Sequence, residues 1–325
     1  MDHVTLDTRS IHKPRIAVLV PCYNEAQAIG SVIRDFQNAL PDATIYVYDN
    51  NSTDDTAQQA AAAGAIVRTE TLQGKGNVVR RMFADIEAEV YVLVDGDGTY
   101  DAASATRMVE HLLGNSLDLV NASRRATTTD AFRLGHKFGN KLLTNSVALI
   151  FGSRLGDMLS GYKAMSRRFV KSFPALAAGF ETETELTVHA LELRLPVAEI
   201  ETPYRDRVAG SESKLRTYRD GFRILRTIFM LMKEERPLQF FSTVAALLLV
   251  TALALGWPLV SEYMTTGLVP RFPTAILATG LTILSFISFV AGLILDTVTL
   301  ARREIKRLHY LSLQGPTFRE RRRQA

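Results

Sequence analysis

Short apolar runs rich in β-branched residues alternate with longer stretches of helical period through the first two hundred residues. Arg15–Val20 (RIAVLV), Thr44–Tyr48 (TIYVY), Val90–Val94 (VYVLV) and Leu117–Val120 are dominated by apolar residues and read as buried strands. Gln27–Leu40, Thr53–Ala63, Gly76–Ile86 and Ala102–Leu113 repeat apolar positions three and four apart, which predicts amphipathic helices. Ser52 with Asp54 and Asp55 offers an N-terminal cap for the second helix, and Gly64 a stop. The alternation predicts an α/β fold: a mostly parallel sheet with helices on both faces.

The pattern changes in the last third. Phe240–Val260 and Thr274–Leu295 run for 21 and 22 residues without a charge and without a polar stripe. That is the length which crosses a hydrocarbon core of about 30 Å. Lys233 and Arg236 precede the first run, Arg302, Arg303, Lys306 and Arg307 follow the second, and the connecting loop holds only Arg271. Positive charge concentrates on the cytoplasmic side, so two spans with both termini cytoplasmic are expected. Tyr218–Arg236 sets Phe222, Leu225, Ile228, Phe229 and Met232 on one face beside Arg219, Arg223, Arg226 and Lys233, as an interfacial helix or an ordinary packed helix would. The expected domains are residues 1–214, a cytoplasmic catalytic domain; 215–237, the interfacial helix; 238–300, two transmembrane helices; and 301–325, a basic tail.

Composition narrows the partners. The net charge is +4 over 325 residues, yet residues 301–325 hold eight Lys/Arg against two Glu. The excess positive charge therefore sits in a tail suited to anionic lipid, and no nucleic acid is needed to explain it. A single cysteine, Cys22, excludes an internal disulfide framework. Met1–Pro14 has no apolar segment of the signal-peptide kind. The six His stand singly, without metal-ligand spacing, and the Asn-x-Ser/Thr sequons at Asn50, Asn51 and Asn121 are expected on the cytoplasmic side, unused.

Open α/β sheets bind ligands at the carboxyl ends of their strands, and three of the four endings here are polar: Pro-Cys-Tyr-Asn-Glu (21–25), Asp-Asn-Asn-Ser (49–52) and Asp-Gly-Asp-Gly (95–98). Asp95 and Asp97 offer two carboxylates suited to Mg²⁺ or Mn²⁺, with Gly96 letting the backbone turn closely. Thr99 and Tyr100 stand where an EF-hand needs a ligand and a glycine, which excludes that motif. Gly74-Lys75-Gly76 lacks the first glycine and the Ser/Thr of a Walker loop, though a lysine opening a helix can meet an anion at the helix N-terminus. No GxGxxG follows the first strand, which counts against a dinucleotide oxidoreductase.

Together VPCYNE, YDNNSTDDT, GKGN, DGDG, SGYKAMSRR and RVAGSESKL resemble the inverting glycosyltransferases of family 2 over residues 15–236. More narrowly they are similar to the polyprenyl-phosphate glycosyltransferases, the group of dolichyl-phosphate mannose synthase and of bacterial enzymes acting on undecaprenyl phosphate. The resemblance implies a GT-A type nucleotide-sugar fold at the cytoplasmic membrane. It implies a nucleoside held by Pro21, Tyr23, Glu25, Asp49 and Asn50, with Lys75 near the nucleotide. Asp95 and Asp97 would hold Mg²⁺ or Mn²⁺ and the donor diphosphate, while Arg124, Arg133, Arg207 and Lys214 would bind the acceptor phosphate. Asp97 and the three arginines would carry catalysis, on a nucleotide-sugar donor, a polyprenyl-phosphate acceptor and the bilayer as partners. A homo-oligomer is left open.

The second motif departs from the family's Asp-Asp-Gly-Ser: Asn50 and Asn51 replace its second Asp and its Gly. An amide can accept from one ring N–H and donate to a carbonyl, which favours a uracil edge and a UDP-sugar over GDP-mannose. The only Trp, Trp257, lies in an apolar run, so the Gln-x-x-Arg-Trp motif of processive synthases is absent. Glu181, Glu183 and Glu185 alternate as at a solvated edge or a site, and Asp157 and Tyr162 would shape the acceptor loop. A transferase with a soluble or polymeric sugar acceptor, and a non-catalytic nucleotide-sugar-binding protein, are the alternatives.

Overall fold

The apolar runs form strands buried on both faces, β1 (Ile16–Cys22), β2 (Thr44–Asp49) and β4 (Val90–Leu93), with the edge strand β3 (Ile66–Thr69) beside β2. The computed structural model describes residues 13–126, 147, 156–179, 181–205, 226 and 229–315. Strands β5 (Leu119–Ala126), β6 (Lys163–Ser166) and β7 (Val197–Tyr204) complete a seven-stranded sheet of order β3-β2-β1-β4-β6-β5-β7. All pairs are parallel except those of β6, which runs antiparallel to both β4 and β5.

Alternation along each strand divides the core in two. Val18, Val20 and Cys22 of β1, with Val90 and Val92 of β4, pack under α1 (Ala26–Ala39), α2 (Thr56–Ala62) and α4 (Ser104–Gly114). Ala17 and Leu19, with Tyr91 and Leu93, pack on the other face under α3 (Lys75–Asp85), α5 (Arg167–Ser172) and α6 (Thr182–Glu192). Each fully buried Val or Leu contributes roughly 1.5–3 kcal/mol.

The helical period placed α1 to α4 correctly, and Gly64 follows α2 at a φ of 91°. The cap of α2 differs from expectation. The Thr56 N–H donates to Asp54 Oδ1 at 3.1 Å, while Ser52 Oγ accepts from the Asn24 N–H at 2.9 Å and ties the β1 and β2 loops together. The strands β3, β6 and β7 are not marked by the apolar pattern. Two are four residues long, and β7 interleaves Glu199 and Glu201 with apolar positions.

The chain divides into two compact units, Met1–Asn140 with Leu155–Leu215 and His309–Ala325, and Lys141–Arg154 with Arg216–Leu308. In the second, α7 (Pro237–Thr266) and α8 (Phe272–Ser312) are long and apolar enough to cross a membrane. Gly267, at a φ of 70°, ends α7 by donating its N–H to Tyr263 O. Besides Pro237 at the start of α7, the buried positions are Ala245, Ala252 and Leu259 on α7 and Ser285, Gly292 and Thr299 on α8, each set of three spaced by seven, as two closely packed helices require. Ser285 Oγ donates to Ala245 O at 2.8 Å, and Glu235 takes Arg302 at 2.7 Å and Arg303 at 3.1 Å. Of the expected interfacial helix, residues 229–235 are helical with Phe229 and Met230 exposed, and 215–225, 227 and 228 lie outside the described residues.

In the first unit the end of α8 is fastened at the amino edge of the sheet. Buried Asp118 accepts from Ser166 Oγ, from Arg168 Nε and Nη2 at 2.7 and 2.8 Å, and from the Tyr310 hydroxyl at 2.7 Å.

Candidate active site

The parallel strands end along one edge, and β6, running the other way, starts there. Its antiparallel sense brings residues 156–163 to the same edge as the loops after β1, β2, β4 and β5. Pro21, Tyr23, Glu25, Asp49, Asn50, Lys75, Asp95, Asp97 and Arg124 are gathered on or beside those strand ends and the start of α3. Arg133, Arg207 and Lys214 lie outside the described residues.

At the end of β2, buried Asp49 accepts from the Ser52 N–H through Oδ2 at 3.2 Å, while Oδ1 has no hydrogen-bond partner among the described residues. Such an oxygen is costly to bury unless a donor arrives. Asn50, 3 % exposed, donates from Nδ2 to Glu70 O and Leu72 O at 2.8 and 2.9 Å and accepts the Gly74 N–H at 2.7 Å. Its amide braces the segment leading into α3, and one lone pair on Oδ1 is all it has left for a base.

Lys75, the first residue of α3, is buried between Asp95 and Glu183 and hydrogen-bonded to both. Burial alone would lower its pKa; the two carboxylates outweigh burial and raise it, so the ammonium stays charged. Burial raises the pKa of Glu183, against the pull of Lys75. At the N-terminus of α3 the Gly76 N–H donates to Ala178 O at 3.0 Å. A Cβ on Gly76 would collide with Ala177 O.

Asp97 is 4 % exposed and accepts from Thr99 N–H and Oγ1 at 3.2 and 2.7 Å. Asp95 lies against Gly161, where any Cβ would meet its carboxylate. Among the described residues no group of three or more His, Cys, Asp or Glu could hold an ion unaided. Two carboxylates still fit a hard divalent cation that completes its shell with diphosphate oxygens and water.

Arg124 on β5 donates to Asp157 from Nε at 2.6 Å and Nη2 at 2.8 Å, with its guanidinium 5.5 Å from the Tyr204 ring centroid. Tyr100 meets the Tyr204 ring edge to face, centroids 5.3 Å apart, and accepts the Gly161 N–H at 2.8 Å. Glu199 on β7 accepts from Asn121 Nδ2 at 3.0 Å, Gly156 N–H at 2.7 Å and Asp157 N–H at 3.0 Å, fixing the loop that presents Asp157.

Sequence reasoning left Glu183 undecided and did not single out Lys163, Gly161 or Glu199. The ETETEL alternation reads as an edge, but it lies in the first turn of α6: Glu183 turns to Lys75, and Glu185 accepts the Leu176 and Ala177 N–H groups at 2.9 Å. Buried Tyr162 donates its hydroxyl to Asp101 O at 3.3 Å.

Residues 17–173 match the family described as Glycosyl transferase family 2. Glycosyltransferase AglJ of Haloferax volcanii is 29% identical over 298 residues, 91% of this chain and 98% of that protein. The same organism's dolichyl-phosphate hexose transferase is 26% identical over 221 residues, 68% of this chain and 95% of that protein. Glucosyl-3-phosphoglycerate synthase from Mycobacterium tuberculosis, solved with Mn²⁺ and UDP-glucose, shares the fold at a TM-score of 0.55 and 24% identity, covering 68% of this chain and 78% of that one.

Proposed function

Since the chain belongs to glycosyl transferase family 2, we propose that it moves a hexose from a nucleotide-sugar to the phosphate of a polyprenyl lipid with inversion at the anomeric carbon. The observation that carries this reading is the meeting, on one sheet edge, of the orphaned Asp49 oxygen, the Asp95–Asp97 pair and the Arg124 guanidinium. A base or ribose donor, a diphosphate with its metal and an acceptor phosphate each find a counterpart there.

Asp95 and Asp97 would hold Mg²⁺ or Mn²⁺, which neutralises the departing diphosphate as a Lewis acid. Lys75 keeps its charge beside that position. Arg124, with Arg133, Arg207 and Lys214, would bring the acceptor phosphate in line with the anomeric carbon, since two anions do not approach unaided. A phosphate monoester has its second pKa near about 6, so the acceptor oxygen is largely ionised at neutral pH and needs no general base. The role of these residues is to align it and to offset its charge.

The lipid acceptor is supported by two apolar helices in this chain and by the similarity to a dolichyl-phosphate hexose transferase. Those helices support a membrane anchor, and our reading puts residues 1–214 and both termini on the cytoplasmic side. A UDP-sugar is supported by the UDP-glucose complex of the structurally similar synthase, and no longer by Asn50, whose donors serve the protein backbone. A soluble phosphate-bearing acceptor is the second reading, favoured by that synthase's name.

The test is a donor and acceptor panel. Purified protein with Mg²⁺ or Mn²⁺ is offered UDP-glucose, UDP-galactose, UDP-N-acetylglucosamine and GDP-mannose against undecaprenyl phosphate or 3-phosphoglycerate, with products read by mass spectrometry. A lipid-linked hexose is the expected product; product on phosphoglycerate alone would reverse the acceptor, and product from GDP-mannose alone the donor.

A further inference from the structure

A polar row crosses the sheet one layer behind the reacting edge. Lys163 of β6 stands opposite Leu93 of β4 on one side and Asn121 of β5 on the other, and Asn121 stands opposite Glu199 of β7. Lys163 is fully buried, and its ammonium donates to Asn121 Oδ1 and to Thr187 Oγ1 at 3.4 Å. Thr187 lies one turn along α6 from Glu183 and donates to its carbonyl at 3.1 Å. Asn121 in turn donates to Asp157 O at 2.8 Å and to Glu199. Lys163 thus stands between the group that holds Lys75 and Asp95 and the group that holds Arg124.

We propose that Lys163 is a positioning residue that couples the two halves of the site, setting the α6 turn that carries Glu183 on the donor side and, through Asn121, the Asp157–Arg124 pair on the acceptor side. Its charge matters as well as its reach. The carboxylates Asp157, Glu183 and Glu199 surround it and Lys75 opposes them, and no carboxylate bonds to it directly among the described residues. Burial pulls its pKa down to about 8, those carboxylates opposing. As pH rises through that value the ammonium is lost. Four carboxylates, Asp95, Asp157, Glu183 and Glu199, then face the two cations Lys75 and Arg124 in a site meant for phosphates.

The proposal rests on the transferase reading for its activity arm, and its thermal arm is independent of that reading. Full-length wild type, Lys163→Met and Lys163→Arg are compared in detergent. With UDP-glucose and undecaprenyl phosphate, wild-type turnover should fall on an alkaline limb near pH 8. Lys163→Arg should keep turnover at pH 9, and Lys163→Met should turn over about tenfold more slowly with no such limb. Superimposable profiles for the three proteins would overturn the proposal.

The thermal arm follows the unfolding midpoint with pH. The folded pKa of Lys163 lies below its unfolded value, so between the two the unfolded chain binds more protons and wild type should gain stability over Lys163→Met as pH rises. The midpoint losses of Lys163→Met and Asp157→Asn should also combine to less than their sum. Additive losses would overturn the coupling even if no donor turned over, whereas silence of wild type across the whole panel would count against the transferase reading alone.

Discussion

Arg124 and Asp157 form a two-point ion pair, Nε to Oδ2 at 2.6 Å and Nη2 to Oδ1 at 2.8 Å, closed by the Arg124 N–H on the same carboxylate at 3.2 Å. Both side chains are largely buried, so removing one partner leaves the other charge without compensation. Asp157→Asn is expected to lower stability by about 3 kcal/mol and to raise KM for the acceptor more than for the donor. Burial opposes ionisation of Asp157, but Arg124 prevails and lowers its pKa. The stabilisation is therefore complete above the unfolded carboxylate value of about 4 and is lost as pH falls through the depressed folded value, so denaturation of wild type and variant should converge in acid.

Asp97→Asn tests the assigned metal role. Asn retains an oxygen for the Thr99 N–H and hydroxyl, so the melting temperature should move by only a few degrees, about the effect of 1 kcal/mol. Turnover should fall about 10²–10³-fold, as expected when charge stabilisation at a leaving group is removed. EDTA should abolish wild-type turnover, and Mg²⁺ or Mn²⁺ should restore it; a folded variant with full turnover would refute the role.

Two glycines should respond differently. A Cβ at Gly161 meets the Asp95 carboxylate, which must shift against its ion pair with Lys75, so Gly161→Ala should lower kcat as well as stability. A Cβ at Gly76 meets the Ala177 carbonyl, which is backbone, so Gly76→Ala should cost about 1–3 kcal/mol of stability. Paired melting curves and kinetics separate the two outcomes.

The sequence displayed the sheet's centre and the acidic turn because both obey local rules: β-branched runs, helical period, and polar residues at strand ends. It did not display β6, whose four residues KAMS carry no alternation, and with β6 went Lys163 and Gly161. Asn50 shows the opposite difficulty. An amide in a nucleotide motif reads as a base contact, yet what it bonds is set by the segment 70–74, which arrives through tertiary folding. Glu183 was likewise hidden, since its partner Lys75 lies 108 residues away.

Tyr310→Phe should separate anchorage from chemistry. Losing the hydrogen bond to Asp118 should cost about 1 kcal/mol, visible as a lower melting temperature. Asp118 lies at the sheet edge opposite the site, so kcat and both KM values should be unchanged. A kinetic change would tie the end of α8 to catalysis.

Because β6 runs against its neighbours, β5 ends at Ala126 and β6 begins at Lys163 along one edge, where Arg124 and Asp157 are joined by an ion pair. Anything inserted between those residues starts and finishes at one fixed clasp. Doubling the length of a flexible insertion adds only about 0.6 kcal/mol of closure entropy. On the proposed transferase reading, segments suited to different acceptors could be exchanged between those two ends, by evolution or by design, while the strands proposed to hold the donor stay as they are.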